Sequence, residues 1–556
     1  SLIFNTYKYQ LVKYLGVLAL STVAFTGCGS IKNMVVPAMD TTVKITSPKL
    51  GTVTEEQSNH WAHADLATDT IPGMSLDKAY KFLEGKTGEI VIVGVIDSGI
   101  DIEHEDLKDV LWTNTNEIAG NGIDDDKNGY VDDIHGWNFL GGDGVDAPEQ
   151  LEITRIVAKL NPRFQGKTDA DIKEEDKADF KKYEEYVKAY EASGSRIFQQ
   201  MDRLVQIKNH VAAVKTFLGK DDFSAEEVQN AKSDDEELQA KMNDVAMLYS
   251  RGLTEAEITE AIEDTEKRLI NYDFDFDGRA IVGDNPEDIT DVVYGNGNVI
   301  GSKDIESHGT HVSGIILGSR NNGVGMNGVA TNAVLMSVRA VPDGDERDKD
   351  VALAIRYAVD NGAKVINMSF GKSFSVNKEW VFEAIKYAAE KDVLLVHAAG
   401  NDGKNIDTAN NWPNDSKDKE VEFADNMLTV GAMSLNYDKN LPATFSNYGK
   451  KNVDVFAPGV QIYSTVPKDE YEKYNGTSMA SPEVAGIATL VRSYYPQLSA
   501  SQVKHIIMNS GVKIDFKVIK PGEKEEMVPF SDLSVSGSVV NAYNALILAD
   551  KMVNKK

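Results

Sequence analysis

The sequence predicts an α/β fold: a mainly parallel sheet with helices on both faces, plus a mostly helical insertion. Three observations carry this. Short runs rich in β-branched residues recur at 89–97, 334–341, 364–370, 393–398, 427–431 and 453–457. Continuous apolar runs of that length mark strands buried on both faces. Between several of them lie stretches of helical period: Val351, Ala354, Ile355 and Ala358 share one face, and Val381, Phe382, Ile385 and Ala388 another. Strands alternating with helices imply a parallel sheet, whose ligands bind at the carboxyl ends of the strands. Residues 141–270 break the alternation with 48 charged side chains in 130 residues.

The elements follow in chain order. Lys8 and Lys13 precede an apolar stretch, 15–25, too short to span a bilayer as a helix. Phe25-Thr26-Gly27-Cys28 resembles the lipobox of bacterial lipoproteins, with Phe25 where an aliphatic residue is usual. The resemblance implies that residues 1–28 are a signal peptide and that Cys28 is lipidated. The chain would then be exported and held on a membrane of the bacterial cell envelope. An ordinary secretory signal with an incidental Cys is the other reading. Residues 29–59 are polar and pattern-poor, as in a tether. Within 141–270, Phe180, Tyr183, Val187 and Tyr190 keep helical spacing, as do Ile197, Met201, Leu204, Val205, Val211, Val214 and Leu218. Ser224 with Glu227 and Thr254 with Glu257 have capping-box spacing. Three or four helices are expected there, as a solvated hairpin with a local core or as a lid or docking element.

Composition narrows the function. The chain of 556 residues carries a formal charge of −29. Residues 91–310 account for −27 of it. Nucleic acid needs a basic surface and is not expected as a partner. A single Cys excludes an intramolecular disulfide framework and a thiolate metal cluster.

Four motifs carry chemistry. Val95-Ile96-Asp97-Ser98-Gly99 ends a strand. Ser307-His308-Gly309-Thr310-His311 opens an apolar helix. His397-Ala398-Ala399-Gly400-Asn401 follows a strand. Asn475-Gly476-Thr477-Ser478-Met479-Ala480-Ser481-Pro482 opens another helix. In this order and spacing they resemble the subtilisin-like serine peptidases, over roughly 60–140 and 271–550. The resemblance implies a subtilisin-like three-layer fold and endopeptidase activity on polypeptides. Ser478 would be the nucleophile, His308 its base and Asp97 the partner of the imidazole. The Asn401 side-chain amide and the Ser478 backbone N–H would bind the oxyanion. Ser369, Phe370 and Gly371 with Ala398, Ala399 and Gly400 match the two segments that line the S1 pocket and pair with extended substrate. Asp343, Asp345, Glu346 and Asp402 suggest a preference for basic or polar substrates. Glu483 stands where many relatives have His, and His311 reads as a helix residue packed near the site. The resemblance implies no cofactor for catalysis. A catalytically silent binding module and an esterase or amidase are the alternatives.

Two acidic loops flank the insertion. Asp124, Asp126, Asn128 and Asp132 take positions 1, 3, 5 and 9 of an EF-hand-like loop, with Gly129 at 6 and His135 at 12. Asp273, Asp275 and Asp277 repeat the spacing before Gly278. Carboxylates this close repel unless a cation neutralises them, so structural Ca²⁺ is the expected ligand of both. Solvated Asx turns are the bland alternative.

Overall fold

The computed structural model describes residues 29–142 and 147–554. Cys28 lies outside them. The described residues fall into two compact units, one within Ser1–Asp146, Arg279–Pro342 and Glu346–Lys556, the other within Ala147–Gly278 and Asp343–Asp345.

The first unit is built on a nine-stranded sheet. Its strands are β1 (Val91–Asp97), β2 (Gly136–Asn138), β3 (Ala333–Arg339), β4 (Ala363–Met368), β5 (Leu394–Ala398), β6 (Met427–Met433), β7 (Val455–Pro458), β10 (Val512–Lys513) and β13 (Ser538–Val539). The order is β10-β13-β7-β6-β5-β4-β1-β3-β2. Every pairing is parallel except β10 with β13. Two hairpins lie outside the sheet: β8 (Ile462–Val466) with β9 (Glu470–Tyr474), and β11 (Lys517–Ile519) with β12 (Met527–Pro529). The six expected strands lie within two residues of their sequence bounds. The added edge strands β2, β10 and β13 are two or three residues long, too short to leave a pattern.

Successive side chains of a strand point to opposite faces. Val91, Val93 and Val95 of β1 join one core cluster, and Ile96 joins the other. Helices α1 (Leu76–Leu83), α2 (His308–Leu317), α5 (Thr477–Tyr494), α6 (Ala500–Ser510) and α7 (Ala542–Val553) cover the first face. Helices α3 (Asp348–Asp360) and α4 (Lys378–Glu390) cover the second. Helix, sheet and helix make the three layers.

The second unit is helical: Glu152–Phe164, Lys177–Leu218, Ala225–Asn230, Glu236–Ser250 and Glu255–Leu269. Both expected capping boxes form. Five helices stand where three or four were expected. The two apolar groups at 180–190 and 197–218 lie on one 42-residue helix. Ile207, Val211, Val214, Met242, Val245, Ile258 and Ile262 make its core.

The expected tether is not free. Gln502 Nε2 donates to the carbonyls of Ile31 and Met34, and Asn509 Nδ2 to those of Val36 and Pro37. Ile31, Met34, Val36, Met39, Val43 and Leu50 pack on the core. An extended strap buries single side chains at irregular intervals, so it has no period to read. The chain then turns through Trp61, which is 1 % exposed and donates to the Val460 carbonyl. Trp61, Ala62 and His63 cover a small cavity also lined by Ile315, Ile462 and Glu483. Glu483 is 1 % exposed, and its Oε2 has no hydrogen-bond partner among the described residues. Burial holds its pKa well above the usual carboxylate range.

Two outcomes follow. Trp61→Ala should cost about 3–5 kcal/mol of stability, read as a lower denaturation midpoint; an unchanged midpoint contradicts the packing. The unfolded chain releases the Glu483 proton near pH ~4.5 and the folded chain keeps it, so this group's contribution to stability falls as pH rises above that value. Glu483→Gln should therefore raise the thermal midpoint at pH 8 more than at pH 5, and an equal effect at both would refute a neutral Glu483.

Candidate active site

Strand order reverses at β1, which lies between β4 and β3. In open α/β sheets the crevice at the carboxyl ends near such a reversal is where ligands bind. Ile96 lies beside Met368, and Met368 beside His397. Asp97, Ser369 and Ala398 are therefore gathered at neighbouring strand ends.

Asp97 is 1 % exposed. Its Oδ1 accepts from His308 Nδ1 at 2.8 Å and from the Ser98 N–H at 2.7 Å. Oδ2 is buried without a hydrogen-bond partner among the described residues. A carboxylate only accepts, so His308 carries its proton on Nδ1 and the neutral ring presents a lone pair on Nε2. The ring is 41 % exposed. Burial lowers the His308 pKa, but the Asp97 charge and hydrogen bond outweigh it, and the net shift is upward. His308 opens α2, and a Cβ on Gly309 would lie 2.0 Å from the Gly99 carbonyl. Only glycine lets that helix start so close to the β1 turn.

Ser478 lies in the first turn of α5. From Gly476 to Ser493 every residue but Ser478 is buried. Pro482 has no N–H to give the Ser478 carbonyl four residues back. Ser369 Oγ donates to that carbonyl instead, at 2.8 Å. A chain of hydrogen bonds orders Ser369: Ser481 Oγ donates to Asn367 Oδ1, and Asn367 Nδ2 donates to Ser369 Oγ. The Ser478 hydroxyl donates to the Ser369 carbonyl at 3.1 Å. Among the described residues no hydrogen bond joins Ser478 to His308. Ser478 is thus held at the end of β4, the neighbour of the strand that ends in Asp97.

Asn401 Oδ1 accepts from the Thr477 N–H and the Thr477 hydroxyl, both at 2.8 Å. A backbone N–H can only donate, which fixes the amide orientation and leaves the Nδ2 hydrogens without a partner among the described residues. Thr477 Oγ1 also accepts from the Gly400 N–H. Among the described residues the Ser478 N–H has no backbone partner, as expected in a first helical turn.

The expected substrate-binding residues divide. Gly371 is exposed, and its backbone has no partner among the described residues. Phe370 is buried in the core, its carbonyl accepting from His397 Nε2. Ala398 and Ala399 are buried, and the Ala399 carbonyl accepts from Asn411 and Asn447 side-chain amides. Gly400 takes φ +103° before exposed Asn401. Glu346 is buried, which removes it from the acidic surface expected to meet substrate.

The acidic loops also differ. Glu117, Asp124 and Asp126 bring carboxylate oxygens within 4.8 Å of one another. Asp132 uses its two oxygens to accept from the Gly120 and Gly122 N–H groups, and Asn128 Oδ1 accepts from the Tyr130 N–H. Asp273 Oδ1 accepts from the Asp275 N–H, an Asx turn, and the 273–277 carboxylates form no such group among the described residues. Burial raises the Glu117 pKa, with the Asp126 and Asp133 charges adding to it. Glu117 lies seven residues before Asp124, outside any loop spacing, so the sequence did not mark it. Thr477 was inside a quoted motif but without a role. Pro482, four residues after Ser478, was the readable sign of a freed carbonyl.

Residues 88–531 match the peptidase S8 family, the subtilase family. The "Thermophilic serine proteinase" of Bacillus sp. (strain AK1) is 40 % identical over 39 % of this chain and 48 % of its own length. The "Cell wall-associated protease" of Bacillus subtilis (strain 168) is 34 % identical over 41 % of this chain and 24 % of its own. "Thermitase" of Thermoactinomyces vulgaris is 39 % identical over 37 % of this chain and 68 % of its own. The chain thus spans half or less of the first two. The parallel sheet, the gathering of Asp97, Ser369 and Ala398 at its carboxyl edge and the match across 88–531 lead to one assignment: this chain belongs to the subtilase family.

Proposed function

We propose that this chain is a serine endopeptidase in which Asp97, His308 and Ser478 act as a triad and Asn401 stabilises the oxyanion. The observation that carries this is the Nδ1 hydrogen bond of His308 to buried Asp97, one strand away from the clamped Ser478. Turning about its χ1, the Ser478 hydroxyl leaves the Ser369 carbonyl for His308 Nε2. Its oxygen attacks the scissile carbonyl carbon as its proton passes to Nε2. Asp97 stabilises the resulting imidazolium. The oxyanion accepts from Asn401 Nδ2 and the Ser478 N–H, both fixed in advance, and sits at the positive end of α5. Collapse breaks the C–N bond, and the amine leaves with the proton from His308. Water then repeats the sequence on the acyl-enzyme and frees the acid. Gly371 offers an exposed edge for an extended polypeptide.

Subtilases need no cofactor for catalysis. In our reading Glu117, Asp124 and Asp126 hold a structural Ca²⁺, since three converging carboxylates match a hard oxygen-ligated cation. Among the described residues the 273–277 loop shows no such convergence. Cys28 is read as a lipidated anchor to the bacterial envelope, its support being the lipobox-like stretch that ends in the chain's one Cys.

A fluorophosphonate should label the protein, and Ser478→Ala should lose both label and casein hydrolysis. Labelling that persists in Ser478→Ala would refute the nucleophile, and labelling without casein hydrolysis would favour an esterase. Asn401→Ala should lower kcat by about 10²–10³, the range for an oxyanion donor of a subtilisin, with KM little changed. A chelator should lower the thermal midpoint, and Asp124→Asn should abolish that sensitivity; an unmoved midpoint would remove the cation.

A further inference from the structure

The β8–β9 hairpin runs directly into the 475–478 turn and grips the first turns of α2. Ser464 Oγ donates to the His311 carbonyl at 2.7 Å, and Thr465 Oγ1 to the Thr310 carbonyl at 2.8 Å. A Cβ on Gly314 would lie 2.1 Å from Thr465 Oγ1, so the approach is as close as glycine allows. In return, His311 Nε2 donates to the Glu472 carbonyl at 2.9 Å. The Tyr474 ring stacks on the His311 imidazole, centroids 4.2 Å apart and planes 21° apart. The Tyr474 hydroxyl shares a 2.8 Å hydrogen bond with Ser307 Oγ, on the residue before His308.

We propose that His311 and Tyr474 are positioning residues that set His308 relative to Ser478, an inference that rests on the triad reading. The hairpin links the two groups: it is hydrogen-bonded to α2 on one side and continuous in the chain with α5 on the other. Simple packing would ask only for apolar bulk. Here the single N–H of His311 meets a strand carbonyl, while its buried Nδ1 has no hydrogen-bond partner among the described residues. Burial lowers the His311 pKa to about 4, against the pull of the Glu472 carbonyl and with the His308 charge adding to it. His311 therefore stays neutral and does not compete for the proton that His308 takes.

His311→Phe keeps the ring and relieves the unpartnered nitrogen; Tyr474→Phe keeps the stack and removes the hydroxyl. If His308 is displaced, kcat falls about tenfold in His311→Phe and less in Tyr474→Phe, with KM and thermal midpoint little changed. The acid limb of the kcat profile also moves in both variants. His311→Gln, which restores a donor, recovers part of the loss. Unchanged kcat in both Phe variants, beside an active wild type, overturns the inference. A wild type that neither hydrolyses casein nor takes up fluorophosphonate overturns the triad reading first, and this inference with it.

Discussion

Everything at this site depends on one carboxylate kept out of water. Asp97 is closed over at the end of β1, and its Oδ1 serves both His308 and the Ser98 N–H. Taking a carboxylate out of water is costly unless donors replace the lost hydration. That need fixes the surroundings. The helix that bears His308 must start against the β1 turn, which Gly309 allows, and the imidazole must give its Nδ1 proton downward. The other nitrogen then faces outward as an acceptor.

The nucleophile side is arranged by a second constraint, the helix N-terminus with its unpaired groups. Pro482 frees the Ser478 carbonyl, and Ser369 takes it up through a chain that begins at Ser481 and Asn367. Thr477 fixes the Asn401 amide by taking its oxygen with both N–H and hydroxyl. Neither arrangement uses a flexible side chain. The groups proposed to meet the transition state are therefore held by backbone donors and buried hydroxyls before substrate arrives, as electrostatic preorganisation requires.

The sheet was legible because a strand buried on both faces must be mostly apolar, as β1, β4 and β5 are apart from Asp97, Lys364, Asn367 and His397. The motifs around Asp97, His308, Asn401 and Ser478 were legible because glycine and small residues cluster where backbone must approach closely. The strap at 31–50 was not, since extended chain fills core gaps with single residues such as Val36 and leaves no period. Glu117 was hidden for a similar reason: its partners Asp124 and Asp126 are set by loop closure, not by regular spacing. Asp132 had the right spacing for a ligand, but the three carboxylates that converge are Glu117, Asp124 and Asp126, while the Asp132 oxygens accept from the Gly120 and Gly122 N–H groups. The acidity of 91–310 reads differently once the chain is folded. Part is buried ion pairing, as with Asp284 and Asp350 around Arg279, and part lies on the helices of the second unit.

The claim at the centre is that Asp97 and His308 share the Nδ1 proton and that this pairing raises the His308 pKa. Proton NMR of the full chain with ¹⁵N-labelled histidine reads both at once. The account predicts a downfield Nδ1 proton on His308, a titration midpoint above ~6.5, and loss of both in Asp97→Asn. A His308 that titrates at or below that value in the wild type, with the proton on Nε2, would contradict it.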